Sequence, residues 1–296
     1  MPPMTELDKY VADQIEKYGG VMVPVKASLL ERMFIGKASI SKLHPNPDDE
    51  FCFPSVGPNY SIVTKYEKMY RTYGKSSSKM GEDAPLMVEK VHPDGYMILN
   101  GHHRWAGAMR CPNIKKLPVH IVNLTQETDI KKMLEASSHD KRVTLDLDEV
   151  VFCKDPALPA EKPLRFPYKP LKERIRLGAP ALMHFLSING YDLWVYTSKL
   201  YSFQYIRTYF GGYSVNLDGV ITGTGRKMRD REAAVIRTRA LFAAKYKETI
   251  HIDNNAVVRT FHDTKEFEEH TLDCSYEGWS QAVMNIIKRW IEDERE

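Results

Sequence analysis

Residues 142–152 read RVTLDLDEVVF, and this stretch decides the fold of the second half of the chain. Val143, Thr144 and Leu145 are β-branched or large and uncharged, the composition of a strand buried on both faces. The run then turns abruptly to carboxylates at Asp146 and Asp148. Three further apolar runs end in polar residues: YDLWVYTSK (191–199), VNLDGVIT (215–222) and ETIHIDNN (248–255). Between them the spacing predicts a long helical stretch beginning near Leu171, interrupted near Gly178 and ending at Gly190, a helix end at 206–213, and a helix over 230–245. Strand alternating with helix implies an α/β fold, a parallel sheet with helices on both faces. The stretch from Trp279 through Val283, Ile286, Ile287, Trp290 and Ile291 has the spacing of a packed terminal helix.

In an open parallel sheet, ligands bind outside the carboxyl ends of the strands. The residues to inspect are therefore Asp146 and Asp148, Thr197 and Ser198, and Asp253 with Asn254 and Asn255. Carboxylates gathered on one rim repel each other unless a cation neutralises them, and hard oxygen donors suit Mg²⁺. One carboxylate can then attack phosphorus, while a second, two residues on, protonates the leaving oxygen. Hydroxyl and lysine donors would hold the phosphoryl oxygens where charge builds up.

At these residues the chain resembles the haloacid dehalogenase (HAD) superfamily over roughly residues 141–291. TLDLDEVVF is similar to its first motif, WVYTSK to its second, and IHIDNN to its fourth, while TGTGRKM (222–228) offers a third-motif lysine. The resemblance implies a Rossmann-like HAD core with Asp146 as nucleophile and Asp148 as general acid/base. Thr197 and Ser198 would bind the phosphoryl group and Lys227 would orient it, with Arg226, Lys245 and Lys247 competing for that role. Asp146, the Asp148 carbonyl and Asp253 would hold Mg²⁺. Asn254 and Asn255 depart from the second acidic residue often seen in the fourth motif. The short spacings from Asp146 to Thr197 and from Thr197 to Lys227 imply a minimal cap and an open site.

The first half is organised differently. LMVEKV and YMIL, joined by HPDG, predict a hairpin, followed by a short helix from His102 to Met109 and the strand LPVHIV. Thr5 with Asp8 predicts a capped N-terminal helix stopped by Gly19-Gly20, VMVPV a short strand, Val63 to Tyr70 a helix, and 126–136 another. The segment PLMVEKVHPDGYMILNGHHRWAGAMR (85–110), with FIGKASISKLHPNP (34–47) before it, resembles the ParB/sulfiredoxin-like fold over about residues 20–124. Gly101, His102, His103 and Arg104 open a helix, where outward N–H groups and a guanidinium fork suit a phosphate or nucleotide. The position of the sulfiredoxin cysteine is His102. Where serine-phosphorylating members carry Asp, this chain has Asn100, which cannot act as a base.

The chain has 296 residues, with 42 Lys+Arg against 39 Asp+Glu and a formal net charge of +3. So small an excess argues against a strongly basic nucleic-acid module. Four widely spaced cysteines read as reduced thiols. With no visible signal peptide and no apolar run of the ~20 residues a bilayer requires, the expected compartment is the cytoplasm, with no membrane contact. The expected organisation is an α+β ParB/sulfiredoxin-like nucleotide- or phosphate-binding domain over 1–138 and a HAD-like phosphohydrolase over 139–296, with SSHDK between them. The expected function is Mg²⁺-dependent phosphomonoester hydrolysis through an aspartyl-phosphate. Its substrate is a nucleotide or a nucleic-acid end, bound with help of the N-terminal domain. The alternatives are an ATP/ADP-dependent phosphotransferase and a non-enzymatic DNA- or nucleotide-binding regulator.

Overall fold

The computed structural model describes residues 5–18, 20–74, 84–228, 230–264 and 266–294. The chain divides into two compact units, Met1–Asn123 with Arg226–Arg229, and Leu124–Gly225 with Asp230–Glu296. The domain boundary expected at 138/139 differs from the division at 123/124 by one helix. That helix, α5 (Glu127–Ala136), buries Ile130, Met133 and Leu134 in one cluster with Trp194, Phe242 and Tyr246 of the second unit.

In the first unit α1 (Glu6–Tyr18) starts as expected. Thr5 N and Oγ1 donate to Asp8 Oδ2 at 2.8 and 2.9 Å, and Asp8 N donates back to Thr5 Oγ1. Of its expected Gly19-Gly20 stop, Gly19 lies outside the described residues. The strand expected in VMVPV shrinks to β1 (Val23–Pro24), and α2 (Leu29–Phe34), β2 (Lys37–Ser39) and β3 (Leu43–Pro45) follow. Next come α3 (Tyr60–Tyr73), the antiparallel hairpin β4 (Leu86–His92) and β5 (Tyr96–Asn100), α4 (His102–Met109) and β6 (Lys116–Val122). The sheet order is β2-β6-β4-β5-β3, with β1 paired to β4. Trp105, wholly buried, centres the core with Leu43, Val63, Val88 and Ile98. Helices α3 and α4 approach so closely that a Cβ on Gly107 would lie 2.6 Å from the Tyr66 Cβ and 2.9 Å from Glu67 N.

In the second unit β7 (Lys141–Asp146) runs into one π-helical turn over Leu147–Val151. Then follow α6 (Ala179–Ile188), β8 (Asp192–Tyr196), α7 (Phe203–Gly211), β9 (Gly219–Ile221), α8 (Arg231–Lys245) and β10 (Glu248–Ile252). The chain ends with β11 (Ala256–Phe261), β12 (Phe267–Thr271) and α9 (Trp279–Asp293). The sheet order is β12-β11-β10-β7-β8-β9. Strands β10, β7, β8 and β9 are parallel neighbours, while β11 and β12 add an antiparallel edge that the sequence pattern did not announce. Successive strand residues face opposite ways. Leu193 and Val195 accordingly pack with Leu182, Leu186, Val283 and Ile287, and Trp194 packs with α5 and α8. Helices therefore cover both faces of a mixed α/β sheet.

One expected helix fails in part. Helix α6 begins at Ala179, and residues 171–178 are not helical. Pro163, Pro167 and Pro170 withhold N–H groups just upstream. The backbone of Arg174–Arg176 is instead bonded to the exit of β7: Cys153 N donates to Arg174 O and Arg176 N to Val151 O, both at 2.8 Å. Residues 153–178 thus form an irregular excursion closed at its base. No helix among the described residues is long and apolar enough to cross a membrane.

Candidate functional site

The second unit brings most of the expected residues to one rim. Leu145 is in register with Ile252 of β10, and Asp146 with Tyr196 of β8. The next residues of the two flanking strands are Asp253 and Thr197. Parallel neighbours lie about 4.8 Å apart. Two carboxylates and a hydroxyl therefore emerge side by side past the carboxyl ends of β10, β7 and β8.

Asp146 is exposed, and its Oδ1 accepts from Asp148 N at 2.6 Å and Glu149 N at 3.0 Å. That bond pair starts the π-helical turn and fixes the carboxylate; no donor reaches Oδ2 among the described residues. Asp148 is 7% exposed. Its Oδ1 accepts from Thr197 Oγ1 at 3.0 Å, and its Oδ2 from Ser198 N and Ser198 Oγ, both at 2.7 Å. Burial acts to raise the Asp148 pKa, yet the two Ser198 bonds, the Thr197 hydroxyl and the Lys199 charge outweigh it and hold the pKa below the usual carboxylate value. Thr197 is fully buried, its N–H held by Ile221 O. The donors expected to grip phosphoryl oxygens are thus closed on Asp148.

Lys227 belongs to the short run grouped with the first unit, where its Nζ pairs with Glu50 at 2.8 Å. The cation beside Asp148 is Lys199, with Nζ 4.0 Å from Oδ1. Its one signal in the sequence is that it directly follows Thr197-Ser198 at the end of a buried strand. Asp253 is exposed and accepts from Asn254 N at its own Oδ1. Asn254 has a reason to be an amide. Its Nδ2 donates to Glu149 O at 3.0 Å while its Oδ1 accepts from the buried Arg176 at 2.7 Å, and a carboxylate could make only the second bond. Among the described residues no group of three or more His, Cys, Asp or Glu is arranged to hold a metal ion.

In the first unit Gly101 precedes α4 with φ +107, and a Cβ there would fall 2.4 Å from Leu86 Cδ2 and 2.9 Å from Arg104 Nη2. The positive φ is what calls for glycine here; the two side-chain ends could shift. The two histidines face inward to the protein's own backbone. His102 is 5% exposed, stacks on Phe51 and accepts Asn46 N–H at Nε2 (3.1 Å). Burial pushes its pKa down to about 4. His103 accepts Asn59 N–H at Nε2 (3.1 Å), and burial lowers its pKa too. Both rings are neutral holders of loops. Arg104 is half-buried, with no ion pair or side-chain hydrogen bond among the described residues. A cavity of about 330 Å³ in this unit is lined by Tyr18, Asn46, Asp48, Met97, Arg226 and Lys227, among others, but not by Gly101 or Arg104.

The model of the ParB N-terminal domain matches residues 65–138, from within α3 through the hairpin, α4 and β6 to α5. No curated protein matches the chain. Among solved structures the chain is similar to the C-terminally truncated chromosome-partitioning protein ParB from Caulobacter crescentus, complexed to the centromeric parS site. The identity is 22% and the TM-score 0.22, over 34% of this chain. The chain spans 46% of the length of that protein, under half.

Proposed function

We propose that this chain is a Mg²⁺-dependent phosphomonoester hydrolase of HAD type, carrying a ParB-like region that binds a nucleotide or nucleic acid. The observation that carries the hydrolase is the register of Asp253, Asp146 and Thr197 past adjacent parallel strands. Asp146 is the nucleophile: its Oδ2 forms a bond to phosphorus as the ester P–O bond breaks. The departing oxygen takes a proton from Asp148. Water then attacks the aspartyl-phosphate, Asp148 recovers a proton from it, and phosphate leaves with Asp146 again a free carboxylate. Ser198 N–H, both hydroxyls and Lys199 must turn from Asp148 to the phosphoryl oxygens; that exchange removes the bonds that keep Asp148 charged, and Asp148 takes up a proton from solvent before the ester bond breaks. The donor set for a metal fits Mg²⁺: exposed carboxylates of Asp146 and Asp253 on adjacent strands, with the Asp148 carbonyl, all hard oxygens. When bound, the ion would screen the nucleophile from the incoming dianion.

The test is a phosphatase screen over nucleotides, sugar phosphates, an aryl phosphate and 3′- or 5′-phosphorylated DNA and RNA, with Mg²⁺ and with EDTA. Hydrolysis in the Mg²⁺ arm alone is the expected result. Failure on every substrate overturns the proposal and favours a second reading, a DNA- or nucleotide-binding regulator, which the family match over residues 65–138 supports.

A further inference from the structure

The excursion between β7 and α6 takes no part in the chemistry above, yet it carries several cations with no partner among the described residues. Residues 160–174 line a cavity of about 780 Å³ whose walls include Arg165, Phe166, Lys169, Lys172 and Arg174. The side chains of Arg165, Lys169 and Lys172 are exposed, as is the adjoining Lys162. None of the four has an ion pair or side-chain hydrogen bond among the described residues. The two acids on the wall are otherwise engaged: Glu161 accepts from Gly178 N at 2.8 Å, and Glu173 from the Tyr201 hydroxyl at 2.7 Å. Phe166 is 90% exposed, an arrangement that costs free energy in water and is not offset by packing.

The excursion, without helix or strand, is tied down at its base. Arg174 donates to the carbonyls of Asp155 (2.7 Å), Pro156 (3.3 Å) and Leu158 (2.9 Å), and its neighbour Ile175 is wholly buried. Pro156, Pro159, Pro163, Pro167 and Pro170 restrict the backbone further. It is also joined to the rim. From Glu173 on the cavity wall the contacts run to Tyr201, from Tyr201 Oη to Lys199 Nζ at 3.5 Å, and from Lys199 to Asp148.

We infer that this excursion is the binding platform for a single-stranded polynucleotide whose terminal phosphate is presented to Asp146. The choice of a terminal phosphate rests on the hydrolase proposed above; the binding does not. Spaced, unpaired cations follow a phosphate backbone, and an exposed ring offers a stacking surface to any unpaired base. A preordered loop loses little entropy on binding. A duplex keeps its bases stacked on each other, so Phe166 discriminates in favour of single strands.

The experiment is fluorescence anisotropy on the full chain, with EDTA present to prevent turnover. The probes are labelled single-stranded DNA and RNA 12-mers, the matching duplex, and polyglutamate as competitor. Wild-type protein is expected to bind both single strands more tightly than the duplex. Phe166→Ala should weaken single-strand binding roughly 5–150-fold. The triple variant Arg165→Ala/Lys169→Ala/Lys172→Ala should weaken it roughly 100-fold at about 0.1 M salt and flatten the log–log salt slope by about 2. These side chains are exposed and unpartnered, so circular dichroism should be unchanged. Wild-type affinity in both variants overturns the inference. So does displacement of the oligonucleotide by polyglutamate at equal charge concentration, which would mark an acidic protein segment as the occupant. A wild-type chain that binds single strands but hydrolyses no phosphomonoester defeats the hydrolase and leaves the platform standing.

Discussion

Beyond β7 the donors of Thr197 and Ser198 are already occupied by an anion of the protein's own, the Asp148 carboxylate. At the start of α4 the Arg104 guanidinium has no partner among the described residues. Both places attract attention in the sequence for the same reason, polar groups at the end of an element. The physics differs. In the second unit a ligand must displace an internal carboxylate, so binding and activation of Asp148 are one event. In the first unit the histidines are spent on backbone N–H groups, and only the guanidinium and the helix start remain for an anion.

The largest effect should come from Asp146→Asn. The amide oxygen can still accept from Asp148 N and Glu149 N, so the π-helical turn and the fold are kept. An amide cannot become an aspartyl-phosphate, and turnover should fall by more than about a thousandfold. Steady-state kinetics on an aryl phosphate, with circular dichroism, decides the matter. Residual activity within tenfold of wild type would remove Asp146 from the chemistry.

Next in size is Asp253→Ala. Among the described residues its side chain bonds only the adjacent Asn254 N–H, so folding should be little affected. As one of the two carboxylates proposed to hold the ion, its loss should raise the Mg²⁺ half-saturation at least the roughly 10–100-fold typical of losing an outer partner. Unchanged Mg²⁺ dependence would show that the register neighbour of Asp146 is not a ligand.

Ser198→Ala addresses the closed state of Asp148 itself. It removes one hydrogen bond to a buried carboxylate, which should cost about 1.5–3 kcal/mol of stability at neutral pH. The native pKa of Asp148 is lowered, so its stabilisation is present above the unfolded value of about 3.9 and is lost as pH falls through the lower native value. The gap between variant and wild type in urea unfolding should therefore be full at pH 7 and narrow at about pH 3. A gap that stays constant with pH would mean the bond stabilises a neutral group.

What could be read in advance followed the strength of the local signal. The β4–β5 hairpin, α4 from His102 to Met109 and the four parallel strands have periodicity and turn residues that agree with their packing. The strand β12 escaped because Phe267, Glu268 and Glu269 are all exposed and leave no alternation to detect. Leu171 and Ile175 sit at helical spacing, but long-range bonds to Val151 and Cys153 override it, which no window of sequence contains. The same limit applies to the site. Asp146, Asp148, Thr197 and Asp253 were legible as strand-end residues. The partner of Lys227 is Glu50, far upstream in sequence, and nothing near TGTGRKM hinted at it.

The smallest expected effects separate the two kinds of residue in GHHR. His102→Ala leaves Asn46 N–H without its acceptor and removes the ring stacked on Phe51, so it should cost about 1–3 kcal/mol. With a native pKa of about 4 against roughly 6.5 unfolded, the neutral ring stabilises the fold above pH 6.5, and that contribution is lost as pH falls toward 4. The difference between His102→Ala and wild type should shrink over that window. Arg104→Ala breaks no bond among the described residues and should stay within about 0.5 kcal/mol of wild type at every pH. Its cost should appear in ligand binding: losing one charge-assisted contact to phosphate weakens binding roughly 10–150-fold. Urea unfolding at pH 7 and pH 5, paired with calorimetric titration of a nucleoside triphosphate, measures both. If Arg104→Ala unfolds as readily as His102→Ala and binds nucleotide as wild type does, the guanidinium is a structural group and the start of α4 is no anion site.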